Sequence, residues 1–138
     1  MIRVLMVDDR RLVRQGLQAL MRRTADLECI GEAVDGREAV ELANRLKPDV
    51  ILMDYDMPKM DGLQATAQIC ARQPEARVLI VASAYDRDLV RQALQNGAKG
   101  YVAKPDMYTE LGPAIRAVYA GEPYYSAMIK SLLDESTP

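Results

Sequence analysis

Two apolar runs in this chain end in carboxylates: VLMVDD, Val4 to Asp9, and VILMD, Val50 to Asp54, with Asp56 two residues further on. Two more end in other polar groups, VLIVAS in the hydroxyl of Ser83 and GYVAK in the ammonium of Lys104. Acids that share one site unneutralised repel and hold each other's protons, which makes a bound cation the natural resolution. Oxygen ligands without His or Cys favour Mg²⁺ or Mn²⁺ over zinc. With a hydroxyl and an amine added, the set suits a phosphoryl group. Singly these residues mean less: Asp9 or Asp86 alone reads as a helix N-cap, and a lone Ser or Lys at a strand end as a turn residue.

These residues meet only if the runs are neighbouring strands of one sheet. Short β-branched and leucine-rich segments near 2–7, 28–34, 49–53, 77–82 and 99–103 alternate with amphipathic stretches, which is βα five times over. The runs at 4–7, 50–53 and 78–82 are apolar at consecutive positions, as in strands covered on both faces. The pattern predicts an α/β fold: a doubly wound, five-stranded parallel sheet of flavodoxin-like order 2-1-3-4-5, with helices on both faces. In that order strands 1 and 3 are adjacent, roughly 4.8 Å apart, so Asp8, Asp9 and Asp54 share the carboxyl-end rim where such sheets bind ligands. Helix 1 should turn Leu12, Val13, Gly16, Leu17, Leu20 and Met21 inward. Helix 4 should start at an Asp86 cap and stop at Asn96-Gly97.

The chain's 138 residues allow one domain with a real core, and 49% apolar with 28% charged residues excludes a disordered chain. No apolar run reaches membrane-spanning length and a strand opens at Ile2, so no span or signal peptide is expected, and the cytoplasm is the default location. Histidine is absent, which excludes His-based triads and His-ligated metals. Cys29 and Cys70 lack CxxC spacing and read as buried free thiols. A net charge of −2 argues against general nucleic-acid binding by this segment. Arg10, Arg11, Arg14, Arg22 and Arg23 form one basic cluster, either a solvated helix face or a docking surface.

VDD, MD followed by Pro58 and Gly62, SA and KP, at these spacings, resemble the receiver (CheY-like) domain of two-component response regulators over roughly Ile2 to Gly121. The segment LGPAIRAVYAGEPYYSAMIKSLL is similar to the receiver end of the NarL/FixJ subfamily, with its LuxR-type DNA-binding output domain. Residues 1–121 are then the receiver domain, and 122–138 a helical extension or linker towards an output domain absent from this sequence. The resemblance implies that Asp54 accepts a phosphoryl group from a sensor histidine kinase. Asp9 and Asp54 would ligate Mg²⁺ (or Mn²⁺), Asp56 through its backbone carbonyl and Asp8 through water, while Lys104 and Ser83 contact the phosphoryl oxygens. Ala84 is small where the donor approaches. Ser83 and Tyr101 would form the switch that reshapes the face of helix 4, strand 5 and helix 5; the alternative for Tyr101 is a core aromatic with its hydroxyl at the surface. It implies a phosphoprotein that assists its own phosphorylation without being an enzyme, with possible autophosphatase activity, a homodimer on activation, and transcription control through DNA bound by the output domain.

Some positions depart from that pattern. Asp56 adds a carboxylate, and Asp56 and Tyr85 flank the path of attacking water, which predicts that both set the phosphoryl lifetime. Gly112-Pro113 falls where the family has helix interior, so helix 5 should begin near Gly112 or kink there. Met128, Ile129, Leu132 and Leu133 share a helical face after a Ser126 cap; they either pack on the domain or form a linker or dimer contact. The terminal DESTP is polar and expected to fray. Two other readings are a receiver that only docks or dimerises, and a haloacid-dehalogenase-type phosphatase suggested by Asp54-Tyr55-Asp56. The phosphatase places its DxD after the first strand, whereas here an acidic pair comes first.

Overall fold

The computed structural model describes residues 1–134. Strands β1 (Ile2–Val7), β2 (Leu27–Ala33), β3 (Val50–Asp54), β4 (Val78–Ala82) and β5 (Gly100–Ala103) alternate with helices α1 (Arg11–Arg22), α2 (Gly36–Leu46), α3 (Gly62–Arg72), α4 (Arg87–Gln95) and α5 (Met107–Tyr119). A short strand β6 (Tyr124–Tyr125) and helix α6 (Ala127–Asp134) follow. All strand pairs are parallel, in the order β2-β1-β3-β4-β5-β6. The sheet therefore has six strands rather than the predicted five, with the first five in the expected order. The sixth is two residues long, too short for any periodicity to register. Its approach depends on Gly100, where a Cβ would fall 2.4 Å from the Tyr124 carbonyl oxygen.

Alternation along each strand divides the core in two. Leu5, Val7, Ile51, Met53, Ile80 and Tyr101 face α2, α3, α4 and α6, while Val4, Met6, Leu52, Leu79 and Val102 face α1 and α5. Every residue of β3, β4 and β5 is buried, each large apolar side chain contributing about 1.5–3 kcal/mol. That burial holds the strand tips in register, Val7 beside Met53 and Asp54 beside Val81.

Helix ends follow the chemistry of their caps. Asp86 accepts from the Leu89 N–H at 2.8 Å to start α4, which ends at Asn96 before Gly97 at φ +109°. Asp61 and Gln64 form a reciprocal capping box at the start of α3. Helix α5 begins at Met107, not at Gly112, and Pro113 lies inside it. The proline is exposed and deprives only the carbonyl of Thr109, also exposed, of its helical donor, so water can replace the lost bond. Leu12, assigned to the inner face of α1, is 81% exposed, and both cysteines are half-buried rather than buried. The predicted fraying concerns residues 135–138, outside the described residues, while Asp134 belongs to α6.

Helix α6 packs on the domain. Ile129 is fully buried in the core layer shared with α2, α3 and α4, and Leu132 and Leu133 pack against it. Ser126 does not cap with its side chain as expected: its Oγ accepts the Ala103 N–H at 3.0 Å, and its carbonyl accepts the Lys130 N–H. The first N–H groups of α6 donate instead to acids at the start of α5, Ala127 to Glu110 and Met128 to Asp106.

Candidate functional site

Because β1 and β3 are neighbours with Val7 opposite Met53, the residues that end them emerge side by side. Asp8, Asp9 and Asp54 place carboxylate oxygens within 4.8 Å of one another. Asp8 and Asp54 are each 2% exposed, while Asp9 faces solvent. Asp9 and Asp54 open onto a cavity of about 460 Å³ whose walls also include Asp56, Ser83, Ala84 and Lys104. Four strand ends thus converge as the alternation of strands and helices requires. A larger hollow of about 620 Å³, lined by Asp86, Arg87, Asp88, Arg91 and Leu133, holds none of the strand-end acids, hydroxyl or amine.

Lys104 reaches across the rim. Its Nζ lies 3.1 Å from Asp54 Oδ1 and 3.4 Å from Asp8 Oδ2. The contact with Asp54 is an ion pair without hydrogen-bond direction, and both Asp54 oxygens, fully buried, accept no well-formed hydrogen bond among the described residues. Burial first, then the charges of Asp8 and Asp9, push the Asp54 carboxyl up to about 7; the Arg10 guanidinium and, more weakly, the Asp56 backbone N–H oppose them. Buried oxygens in want of donors, beside two more carboxylates, fit a hard divalent cation. Asp8, Asp9 and Asp54 are the side chains that could hold it, and Asp56 stands in the cavity wall.

The other predicted residues separate. Ser83 and Ala84 line the cavity, but Tyr85 does not: its hydroxyl donates to Met128 Sδ at 3.6 Å and its ring packs towards α6. Tyr101 is fully buried and its hydroxyl donates to the Ala84 carbonyl at 2.6 Å. Burial, the largest influence, raises its pKa well above the usual phenol range. Arg10 stands out in the sequence only as part of a basic cluster, yet it lines the cavity. Its backbone N–H donates to Asp8 Oδ1 at 2.8 Å, and its Nε lies 3.5 Å from the same oxygen. Its position directly after Asp9 was the available signal. Arg14 braces the turn, donating to the Asp8 carbonyl at 2.7 Å.

A doubly wound parallel sheet with three acids, a lysine and a hydroxyl at its carboxyl-end rim is the architecture of a receiver. Residues 4–116 match the family model described as the response regulator receiver domain, and the chain belongs to that family. It is 46% identical over 123 residues to the transcriptional regulatory protein LiaR of Bacillus subtilis, covering 89% of this chain and 58% of that one. To the response regulator GacA of Pseudomonas aeruginosa it is 39% identical, covering 96% of this chain and 62% of the relative. The chain thus spans about three fifths of the length of these curated relatives. Among solved structures, a LuxR-family two-component response regulator from Aurantimonas sp. SI85-9A1 superposes with a TM-score of 0.93 at 34% identity, covering 96% of this chain and 95% of the other. The receiver domain of NarL from Mycobacterium tuberculosis gives 0.84 at 36% identity, covering 88% and 98%. Among the described residues no helix is long and apolar enough to cross a membrane.

Proposed function

We propose that Asp54 is the phosphoryl acceptor of this receiver and that a phosphohistidine on a sensor histidine kinase is its donor. One observation carries the reading: a buried carboxylate whose oxygens accept no well-formed hydrogen bond among the described residues faces a lysine at 3.1 Å inside a cluster of acids. An Asp54 oxygen attacks phosphorus in line, and the new O–P bond forms as the donor's P–N bond breaks, its electron pair leaving on the imidazole nitrogen. Lys104 moves with the charge from the carboxylate to the phosphoryl oxygens, and Ser83 donates a hydrogen bond to another. Mg²⁺ or Mn²⁺ held by Asp9, Asp54, the Asp56 carbonyl and, through water, Asp8 would neutralise the cluster and offset the transition-state charge.

The new group adds about −1.5 to −2 charges at one end of β4. Pulling Ser83 towards it strains the adjoining Ala84, whose carbonyl is tied to Tyr101, so the event is felt beneath α4, β5 and α6. Asp56 and Ala84 meter access of the attacking water and thereby the lifetime, with slow autophosphatase activity; Tyr85 acts on it indirectly, through the loop it anchors to α6. Residues past 121 lead to an output domain that binds DNA and controls transcription in the cytoplasm, and phosphorylation changes the chain's self-association towards a homodimer.

Incubation with acetyl phosphate and Mg²⁺ tests this. Intact mass should show one phosphoryl group on the wild-type chain and none on Asp54→Asn, and beryllofluoride with Mg²⁺ should change the scattering mass. A wild-type chain that gains no phosphoryl group would leave a docking module as the reading.

A further inference from the structure

Both oxygens of Asp8 already face cations. Oδ1 lies 3.5 Å from Arg10 Nε, and Oδ2 lies 3.4 Å from Lys104 Nζ. The two cations are held unequally. Lys104 also pairs with Asp54 and its side chain is 12% exposed, whereas Arg10 touches a single carboxylate from a side chain 51% exposed. Arg14, the neighbouring guanidinium, is committed elsewhere, to Glu32 and to the Asp8 carbonyl.

The placement of Arg10 also runs against its own helix. It is the N-cap residue of α1, where its side chain makes no capping bond and the helix dipole disfavours a cation. The acids in front of it offset that cost. It also lines the same cavity as Asp9, Asp54 and Ser83.

This guanidinium would repel a divalent cation at the cluster and contest with it the Asp8 oxygen it faces. Displaced from Asp8, the guanidinium would still lie beside the cavity, where a donor's phosphoryl group brings negative charge and planar N–H pairs suit its oxygens. We propose that Arg10 is a positioning residue that alternates between two anions, acting as counter-ion of Asp8 before a cation binds and as clamp for the incoming phosphoryl group afterwards. This rests on the reading of Asp54 as acceptor.

The two roles oppose each other in a measurable way. Loss of Arg10 should tighten cation binding and slow phosphoryl uptake, whereas loss of a purely structural side chain moves both in the same direction. The test uses the 138-residue chain as wild type, Arg10→Ala and Arg10→Lys. Mn²⁺ alone is titrated and counted by the electron paramagnetic resonance of the free ion, and phosphorylation by acetyl phosphate is timed by intact mass at saturating Mg²⁺. Removing one unit charge from beside the acids in a partly screened site should tighten Mn²⁺ binding in Arg10→Ala about 3–10-fold. Uptake should slow by a similar factor, about 3–10-fold, with Arg10→Lys between the two on both measures. Unchanged or weaker Mn²⁺ binding in Arg10→Ala, or an unchanged uptake rate, overturns the assignment to Arg10 alone when the wild type binds Mn²⁺ and is phosphorylated. A wild type that does neither overturns the acceptor reading and this one together.

Discussion

The hydroxyl of Ser126 and the backbone N–H of Ala103 meet at 3.0 Å inside the protein, one residue before Lys104. That bond ties the start of α6 to the strand end that carries the site's ammonium group. Around it, Tyr124 donates to Glu110 at 2.8 Å and Ile129 fills the core. The sheet edge beyond β5, on the α4 side, is therefore covered by this chain's own C-terminal segment.

Removing the Ser126 hydroxyl leaves a buried N–H without its acceptor. Ser126→Ala should cost about 1–3 kcal/mol in chemical denaturation, with faster hydrogen exchange at the Ala103 amide. A stability equal to wild type would mean that α6 is not held through this bond.

Tyr101 links the other side of the switch, since its hydroxyl reaches the Ala84 carbonyl at 2.6 Å. Tyr101→Phe should lose about 0.5–1.5 kcal/mol, because Ala84 is exposed and its carbonyl can turn to water. Alkaline spectrophotometric titration should show the last-ionising tyrosine in the wild type and its disappearance in the variant. An unchanged final step would assign it elsewhere.

How far these relations could be read beforehand depends on their physical origin. Burial on both faces forces apolar residues at consecutive positions, so β1, β3 and β4, and with them the rim that gathers Asp8, Asp9 and Asp54, were legible. Asp86 and Gly97 announced α4 through caps that few other residues supply. Side-chain direction leaves no comparable trace: Tyr85 turns to Met128 rather than the cavity, and Arg10 folds back on Asp8. Nor could Pro113 reveal that its missing bond would fall on the wet side of α5, or Ser126 that its hydroxyl would serve β5 instead of α6.

Burial and like charges push the Asp54 carboxyl from its ordinary 3.8 up to about 7. Between those values the folded chain binds more protons than the unfolded one, so stability falls as pH rises through that window. Without metal, the wild type should melt higher near pH 5 than near pH 8 by calorimetry, roughly as the linkage slope requires. Asp54→Asn cannot ionise there and should lose this dependence. It should gain about 1–3 kcal/mol near pH 8, a rise of about 3–10 °C in Tm. Mg²⁺ should raise the wild-type Tm near pH 8 more than that of the variant. A wild-type profile that is level across the window would contradict the assigned burial.

The same substitution at two glycines should have opposite signs. At Gly62 a Cβ would fall 2.2 Å from the Asp54 carbonyl oxygen and 2.9 Å from Tyr55 Cα, both backbone atoms that cannot rotate aside. The Gly62 N–H also donates to the Tyr55 carbonyl at 2.9 Å, so any retreat of α3 drags the strand tip that presents Asp54. Gly62→Ala should cost about 1–3 kcal/mol or more, and the folded remainder should bind Mn²⁺ more weakly than wild type. At Gly112 the nearest atom to a new Cβ is Arg116 Nη1 at 3.3 Å, the tip of a half-exposed side chain whose Nε and Nη2 pair with Asp26 at the surface and which can give by the few tenths of an ångström required. Gly112→Ala should therefore stabilise α5 by about 0.5–1 kcal/mol and leave Mn²⁺ binding alone. Denaturation and Mn²⁺ titration of the pair separate backbone contact at the site from helix propensity far from it, and equal effects at both glycines would remove the close approach as the cause.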